Sequence, residues 1–175
     1  MIIREAILED AKGIAKVHVD SWRTTYKYII ADDFLNNLSY EKREQLWSNN
    51  IPKGNVFVAE NELGQIVGFS SGGKERSGKY KDYEGELNSI YILKGFQGKG
   101  IGKLLAKPVF EKIEQLGINT MLVFVLEDNE SRLFYESLGG KVIDKVEVEI
   151  AGKKLNELVY GWENIKGVFK KAYPS

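Results

Sequence analysis

The sequence predicts one mixed α/β sheet flanked by helices, on three observations. Short apolar runs bounded by turn residues alternate with amphipathic, helix-spaced stretches along the chain. A glycine-rich segment, Gly98-Lys99-Gly100-Ile101-Gly102-Lys103, joins the apolar run Leu87 to Ile92 to the amphipathic run Leu104 to Leu116, in the order strand, loop, helix. At 175 residues, 43% hydrophobic and 29% charged, the chain is long enough for one domain with a sizeable core.

Ile2-Ile3-Arg4-Glu5-Ala6 reads as a first strand, and Asp10 as the N-cap of a helix from about Ala11 to Tyr26. Ile14, Val17, His18, Ser21 and Trp22 fall on one face of it. His18 is the single histidine, and a lone histidine on a helix is read as structural. Trp22 and Tyr26, four residues apart, either pack in the core or wall a substrate cleft. A second helical stretch, Ala31 to Trp47, turns near Ser39 and ends at Pro52-Lys53-Gly54. Val56 to Ala59 and Ile66 to Ser70 are strands joined by the hairpin turn Asn61-Glu62-Leu63-Gly64. Lys74 to Glu84, charged and holding Tyr80 and Tyr83, reads as a solvated connection.

The strand through Glu86 to Ile92 leads into the glycine loop and a helix to about Gln115, with irregularity expected at Pro108. Thr120 to Val125 is a buried strand. Asn129 to Leu138 is a short helix stopped by Gly139-Gly140. Val142 to Ile150 turns at Ala151-Gly152-Lys153 into a last strand, Leu155 to Trp162. The tail from Asn164 to Ser175 gives no clear signal.

Composition narrows the function. Lys+Arg and Asp+Glu are both 25, so no overall field draws the chain to nucleic acid or an anionic membrane. No apolar run approaches the ~20 residues of a membrane span, and Met1-Ile-Ile-Arg lacks a signal-peptide hydrophobic region, which leaves a cytoplasmic location as the expectation. With no cysteine there is no disulfide, no thiolate metal site and no acyl-cysteine intermediate.

The glycine loop carries the chemistry. Residues without Cβ let several N–H groups converge, and the following helix adds its unpaired first-turn donors and positive dipole end, which suits a pyrophosphate. A Walker loop is rejected because Leu104 follows Lys103 and Gln97 holds the upstream glycine position; the dinucleotide fingerprint fails because position 103 is Lys. What remains is Gln97-x-x-Gly100-x-Gly102 straight after a strand.

With Ile90-Tyr91-Ile92 before it and Gly-Ile-Gly-Lys-Leu-Leu after it, this element resembles the acyl-CoA-binding motif of the GCN5-related N-acetyltransferase (GNAT) superfamily. Asn129 with Phe134-Tyr135-Glu136-Ser137-Leu138-Gly139 resembles that superfamily's second element, although Gly140 stands where an aromatic is more frequent. With Ser21-Trp22-Arg23 and Tyr160-Gly161-Trp162 the resemblance covers nearly the whole chain. It implies a single N-acetyltransferase domain over 1–175 and a largely antiparallel six- to seven-stranded sheet with helices on both faces. That sheet would be splayed between the strands ending near Ile92 and starting near Thr120 to admit acetyl-CoA.

By the same resemblance the backbone of Ile90, Tyr91 and Ile92 pairs with the pantetheine arm. The amides of Gly98, Lys99, Gly100, Ile101, Gly102 and Lys103 receive the pyrophosphate, braced by Gln97, and Asn129 bonds the CoA arm. Tyr135 approaches the thioester sulfur and protonates the leaving thiolate. Glu86, placed on the face of Ile92 by the two-residue period, is the base acting through water, with Asn88 on that face as an alternative holder of the water. Trp22, Tyr26 and Asn88 are the expected substrate-binding residues. The implied reaction is direct transfer of an acetyl group from acetyl-CoA to a primary amine in a ternary complex, without a metal. The acceptor stays open among small-molecule and peptide amines; Asp20, Asp82, Glu84 and Glu86 are candidates to attract a cation and Trp22, Tyr26 and Tyr80 to stack on it, and a homodimer through an edge strand also stays open. A non-catalytic acyl-CoA-binding sensor module is the alternative function.

Overall fold

The computed structural model describes residues 1–169; the end of the tail, 170–175, lies outside the described residues. Seven strands form one sheet: β1 (Ile2–Glu5), β2 (Val56–Glu60), β3 (Ile66–Lys74), β4 (Gly85–Ile92), β5 (Met121–Leu126), β6 (Lys141–Ile150) and β7 (Lys153–Trp162), in the order β1-β2-β3-β4-β5-β7-β6. Every neighbouring pair is antiparallel except β4 and β5. The helices are α1 (Ala11–Thr25), α2 (Asp32–Asn36), α3 (Tyr40–Asn50), α4 (Ile101–Gln115) and α5 (Arg132–Ser137).

Alternation along the strands sorts the apolar residues onto two faces. In β2, Val56 and Val58 pack with Ile14, Val17 and Trp47 of α1 and α3, whereas Phe57 and Ala59 pack with Leu105, Val109 and Ile113 of α4. A third cluster, Tyr26, Ile30, Leu35, Leu126 and Leu155, continues the α1 side toward β5 and β7. Both faces are therefore covered, as the sequence predicts.

Two local expectations change. Asp10 does not cap α1 with its side chain. It is buried beside Arg4, whose guanidinium donates to both its oxygens at 2.7 and 2.9 Å, and it accepts the Ile7 N–H at 2.8 Å. An ion pair with an additional backbone donor outcompetes a cap for a buried carboxylate. The second helical stretch is two helices, and the Ser39 hydroxyl caps the second by accepting the Lys42 N–H. Around the hairpin turn the Asn61 side chain accepts from Leu63 and Gln65, and Gly64 takes φ +77°. α4 runs unbroken through Pro108.

His18 is structural, as read from the sequence. It stacks on Tyr91 and packs against Trp22, Trp47 and Phe69, and its Nδ1 accepts the Trp47 indole N–H at 3.0 Å. Burial, and then the Arg43 charge, push its pKa down to about 4. A base held neutral in the fold keeps its full contribution above the unfolded-state value of ~6.5 and loses it as pH falls toward 4, where the unfolded chain binds more protons. Urea unfolding of the wild type between pH 7 and 4 is expected to show about 3 kcal/mol of stability lost through this group. His18→Gln, less stable at pH 7 but without the titration, flattens that slope.

Candidate active site

β4 and β5 are paired at Gly85 with Met121 and Glu86 with Leu122, and then they part. A cleft of about 470 Å³ opens between them. Its β4 wall presents unpaired backbone. Leu93 N–H donates to the Val67 carbonyl of β3 at 2.9 Å. By ladder alternation Tyr91 also turns its peptide groups to β3, and those of Ile90 and Ile92 face the gap. Of the three residues expected to pair through their backbone, Ile90 and Ile92 turn peptide groups to the gap, and Tyr91 lines the cleft with its ring instead.

At the strand end Gln97 Nε2 donates to the Ile92 carbonyl at 2.9 Å, which ties the glycine loop to the cleft. Gly98 and Gly100 adopt φ +75° and +81°, left-handed backbone that admits glycine with least strain. Gly100 is the N-cap of α4. Among the described residues, the N–H groups of Gly98, Lys99, Gly100, Ile101, Gly102 and Lys103 have no hydrogen-bond acceptor. Six consecutive free donors at a helix N-terminus, two of them on lysines, have the arrangement that suits a phosphate-type anion.

The far wall comes from β5 and α5. Asn129 is buried, and its Oδ1 accepts the Ser131 N–H at 2.9 Å. Tyr135 is buried within the cleft lining, and its hydroxyl makes no hydrogen bond to described residues. Burial, then the neighbouring Tyr91, raise its pKa, so the phenol stays protonated at neutral pH. α5 closes in a Schellman turn: Gly140 N–H bonds the Tyr135 carbonyl at 3.0 Å and Gly139 N–H the Glu136 carbonyl at 2.9 Å. The Trp162 ring lies against Gly140, where a Cβ would approach it to 2.8 Å, and its indole N–H donates to the Leu138 carbonyl. Trp162 thus occupies the space beside Gly140.

Trp22 and Tyr26 prove to be core and wall at once. Their rings meet edge-on at 4.7 Å, the Tyr26 hydroxyl lies 3.3 Å from that of Tyr91, and both residues line the cleft.

The face assigned to Glu86 needs correction. The β3–β4 register shifts so that Gly72 faces Leu87 and Ser71 faces Ser89, which makes Asn88 an extra, bulged residue. Leu87, Ile90 and Ile92 consequently share the α4 face, whereas Glu86 shares the α1 face with Ser89 and Tyr91. Glu86 and Asn88 therefore do not stand on the face of Ile92, although both line the cleft. Glu86 is buried and held by Arg76, through Nη2 to Oε2 at 2.7 Å and the Arg76 backbone N–H to Oε1 at 3.2 Å. The 75–84 segment is thus not merely a solvated connection, since Arg76 and Ser77 line the cleft.

Asp20 bonds Lys16 and Tyr40 on the outer surface, and Asp20, Asp82, Glu84 and Tyr80 are absent from the cleft lining. Glu157 of β7, which the sequence did not single out, lines the cleft half-buried. Two buried side-chain atoms of the cleft, Trp22 Nε1 and Asn88 Oδ1, have no partner among the described residues. A donor and an acceptor left open in this way suit a polar ligand. Among the described residues, no three His, Asp or Glu side chains gather to hold a metal, and no helix is long and apolar enough to cross a membrane.

A sheet parted beside a donor-rich loop and a free phenol defines an acyl-transfer class of site. The family model described as FR47-like protein matches residues 69–148. The chain is 44% identical over 166 residues to YuaI of Bacillus subtilis (strain 168), an uncharacterised N-acetyltransferase, covering 95% of each. It is 30% identical to the peptidyl-lysine N-acetyltransferase YjaB of Salmonella typhimurium, over 73% of this chain and 80% of that one. The fold matches that of the PaiA N-acetyltransferase from Thermoplasma acidophilum in complex with coenzyme A (TM-score 0.72, 21% identity, 91% of this chain and 96% of that one). It also matches a ribosomal-protein-alanine N-acetyltransferase from Brucella melitensis (TM-score 0.72, 24% identity, 93% and 99%). The chain belongs to the GCN5-related N-acetyltransferase superfamily and is an acyltransferase of that class.

Gly140→Ala is expected to cost about 1–3 kcal/mol in urea unfolding, because the added methyl meets the Trp162 ring and the Tyr135 carbonyl.

Proposed function

We infer that this chain transfers an acetyl group from acetyl-CoA to a primary amine by direct attack in a ternary complex. The observation that carries the reading is the free backbone of the opened sheet and the loop after it: the Ile90 peptide groups and the Ile92 N–H face the gap, and six N–H groups from Gly98 to Lys103 lie free just beyond the strand end. Acetyl-CoA supplies the activated acyl carbonyl and a thiolate leaving group.

The chain's residues fit it part by part. The donors of the glycine loop, with Lys99 and Lys103, take the diphosphate, and Gln97 keeps the loop in register with the strand. The peptide groups of Ile90 and the N–H of Ile92 extend the sheet onto the amide-bearing pantetheine arm, and Asn129 offers its amide to the same arm. An N–H of this stretch is the donor for the oxyanion. Tyr135, kept protonated, gives its proton to the departing thiolate.

On the α1 side Trp22, Tyr26 and Asn88 receive the acceptor. Its ammonium is unreactive until a proton leaves to a cleft carboxylate, and Glu86 through water is the assignment that the resemblance carries. Relatives with peptide-directed names make free peptide amines the first acceptors to assay.

Turnover is measured by free-thiol release and acetyl-CoA affinity by calorimetry. Tyr135→Phe is expected to lower kcat about 100-fold while acetyl-CoA affinity changes less than threefold. Gly100→Val is expected to weaken acetyl-CoA binding tenfold or more through lost loop geometry. Unchanged turnover in Tyr135→Phe removes the phenol from the mechanism, and tight acetyl-CoA binding without turnover on any amine favours the sensor alternative.

A further inference from the structure

Resting on the acetyl-transfer reading, the registers of the sheet say where the amine's proton goes. Glu86 stands opposite Leu122, at the closed end of the cleft. Four residues farther along β5, about 13 Å, Leu126 stands opposite Glu157 of β7. The same advance along β4, with one residue taken up by the bulge at Asn88, leads to Ile90 and Tyr91. Counted in register, Glu157 is therefore level with the peptide groups that face the gap, and Glu86 stands about four residues nearer the closed end. Both carboxylates line the same cleft.

Their surroundings differ as much as their heights. Glu86 has Arg76 on both oxygens. Glu157 has no ion pair or side-chain hydrogen bond among the described residues. It shares the face of Leu155, the α1 side, on which Trp22 and Tyr26 stand. The titratable and charged groups on that side of it are Glu86 and Tyr91 of β4, Arg76 and Tyr80 of the 75–84 segment, Tyr26 beyond α1, and Asp144 of β6, which accepts the Tyr80 hydroxyl at 2.7 Å. The cation among these, Arg76, is already taken by Glu86. Burial, and then the charge of Glu86, push the Glu157 carboxyl above its usual range, which strengthens it as a base.

We propose that Glu157, and not Glu86, accepts the proton that the attacking ammonium loses. The N–H bond breaks and an O–H bond forms on Glu157, and the freed lone pair makes the C–N bond. The C–S bond breaks with its electron pair on sulfur, and Tyr135 protonates that sulfur. The nitrogen, still carrying one proton too many, gives it through solvent to the Tyr135 phenolate, and Glu157 releases the first proton to solvent, leaving amide, thiol, one solvent proton and the starting enzyme. The Arg76–Glu86 pair holds the 75–84 segment against the closed end of the cleft.

The test compares kcat/KM against pH for the wild type, Glu157→Gln, Glu157→Asp and Glu86→Gln. The acceptors are a tripeptide with a free N-terminus and an Nα-blocked lysine, and acetyl-CoA affinity is measured calorimetrically for each variant. Glu157→Gln is expected to lose about 100-fold in kcat/KM together with the acid limb that reports the base, with acetyl-CoA affinity within twofold. Glu157→Asp keeps the limb at a reduced rate, and Glu86→Gln keeps it as well. A Glu157→Gln profile that retains the acid limb overturns the proposal, most directly if Glu86→Gln loses it. A wild type that binds acetyl-CoA but acetylates neither acceptor nor any other amine overturns the transfer reading itself, before any variant is compared.

Discussion

The parting of β4 and β5 is the constraint on which the molecule depends. Two adjacent strands in a sheet normally satisfy each other's peptide groups, and here that pairing stops after Glu86 and Leu122. What keeps the gap from closing is the packing on either face. α4 lays Leu105, Val109 and Ile113 over the β2–β4 half, and α1 with the residue after it brings Trp22 and Tyr26 to the cleft wall. The open backbone is thus built into the fold, and under the proposed reaction a substrate's amides add to the ladder there without competing with a strand.

The bulge at Asn88 is the second determinant. One extra residue turns Glu86 to the side of Tyr91 while Leu87 and Ile90 keep the α4 face. It also leaves Asn88 Oδ1 buried and unpartnered at the cleft. The cleft acquires two chemically distinct sides in this way. One carries peptide donors, Asn129 and Tyr135; the other carries aromatic rings and two carboxylates, one neutralised by Arg76 and one not.

These two features explain what the sequence could and could not reveal. The glycine loop was legible because left-handed backbone at Gly98 and Gly100 and a following helix leave a local signature. Tyr135 and Asn129 were legible because a short helix with its glycine stop is also a local unit. Glu86 was found as a residue but set on the wrong face, because a bulge is not announced by the two-residue period it breaks. Arg76 and Glu157 escaped notice for a different reason. Arg76 lies in a charged stretch that looks like any solvated connection, and Glu157 acquires its position only through a register set by β5, thirty residues upstream. Asp10 shows the same limit at smaller scale, where a residue typical of a helix cap is taken by a distant guanidinium.

The split sheet also has a mechanical consequence. The strands on one side of the gap, β1 to β4, all precede the glycine loop in the chain, and those on the other side, β5 to β7, all follow it. Each half is one continuous stretch of sequence, and the chain passes between them once, through the loop and α4. Across that boundary the ladder holds two residue pairs, against six between β5 and β7. The thinnest part of the hydrogen-bonded ladder therefore coincides with the cleft, and the two halves are held together mainly by the core under α4. A ligand lying along the seam and bonded to both walls would act as a rivet between the halves.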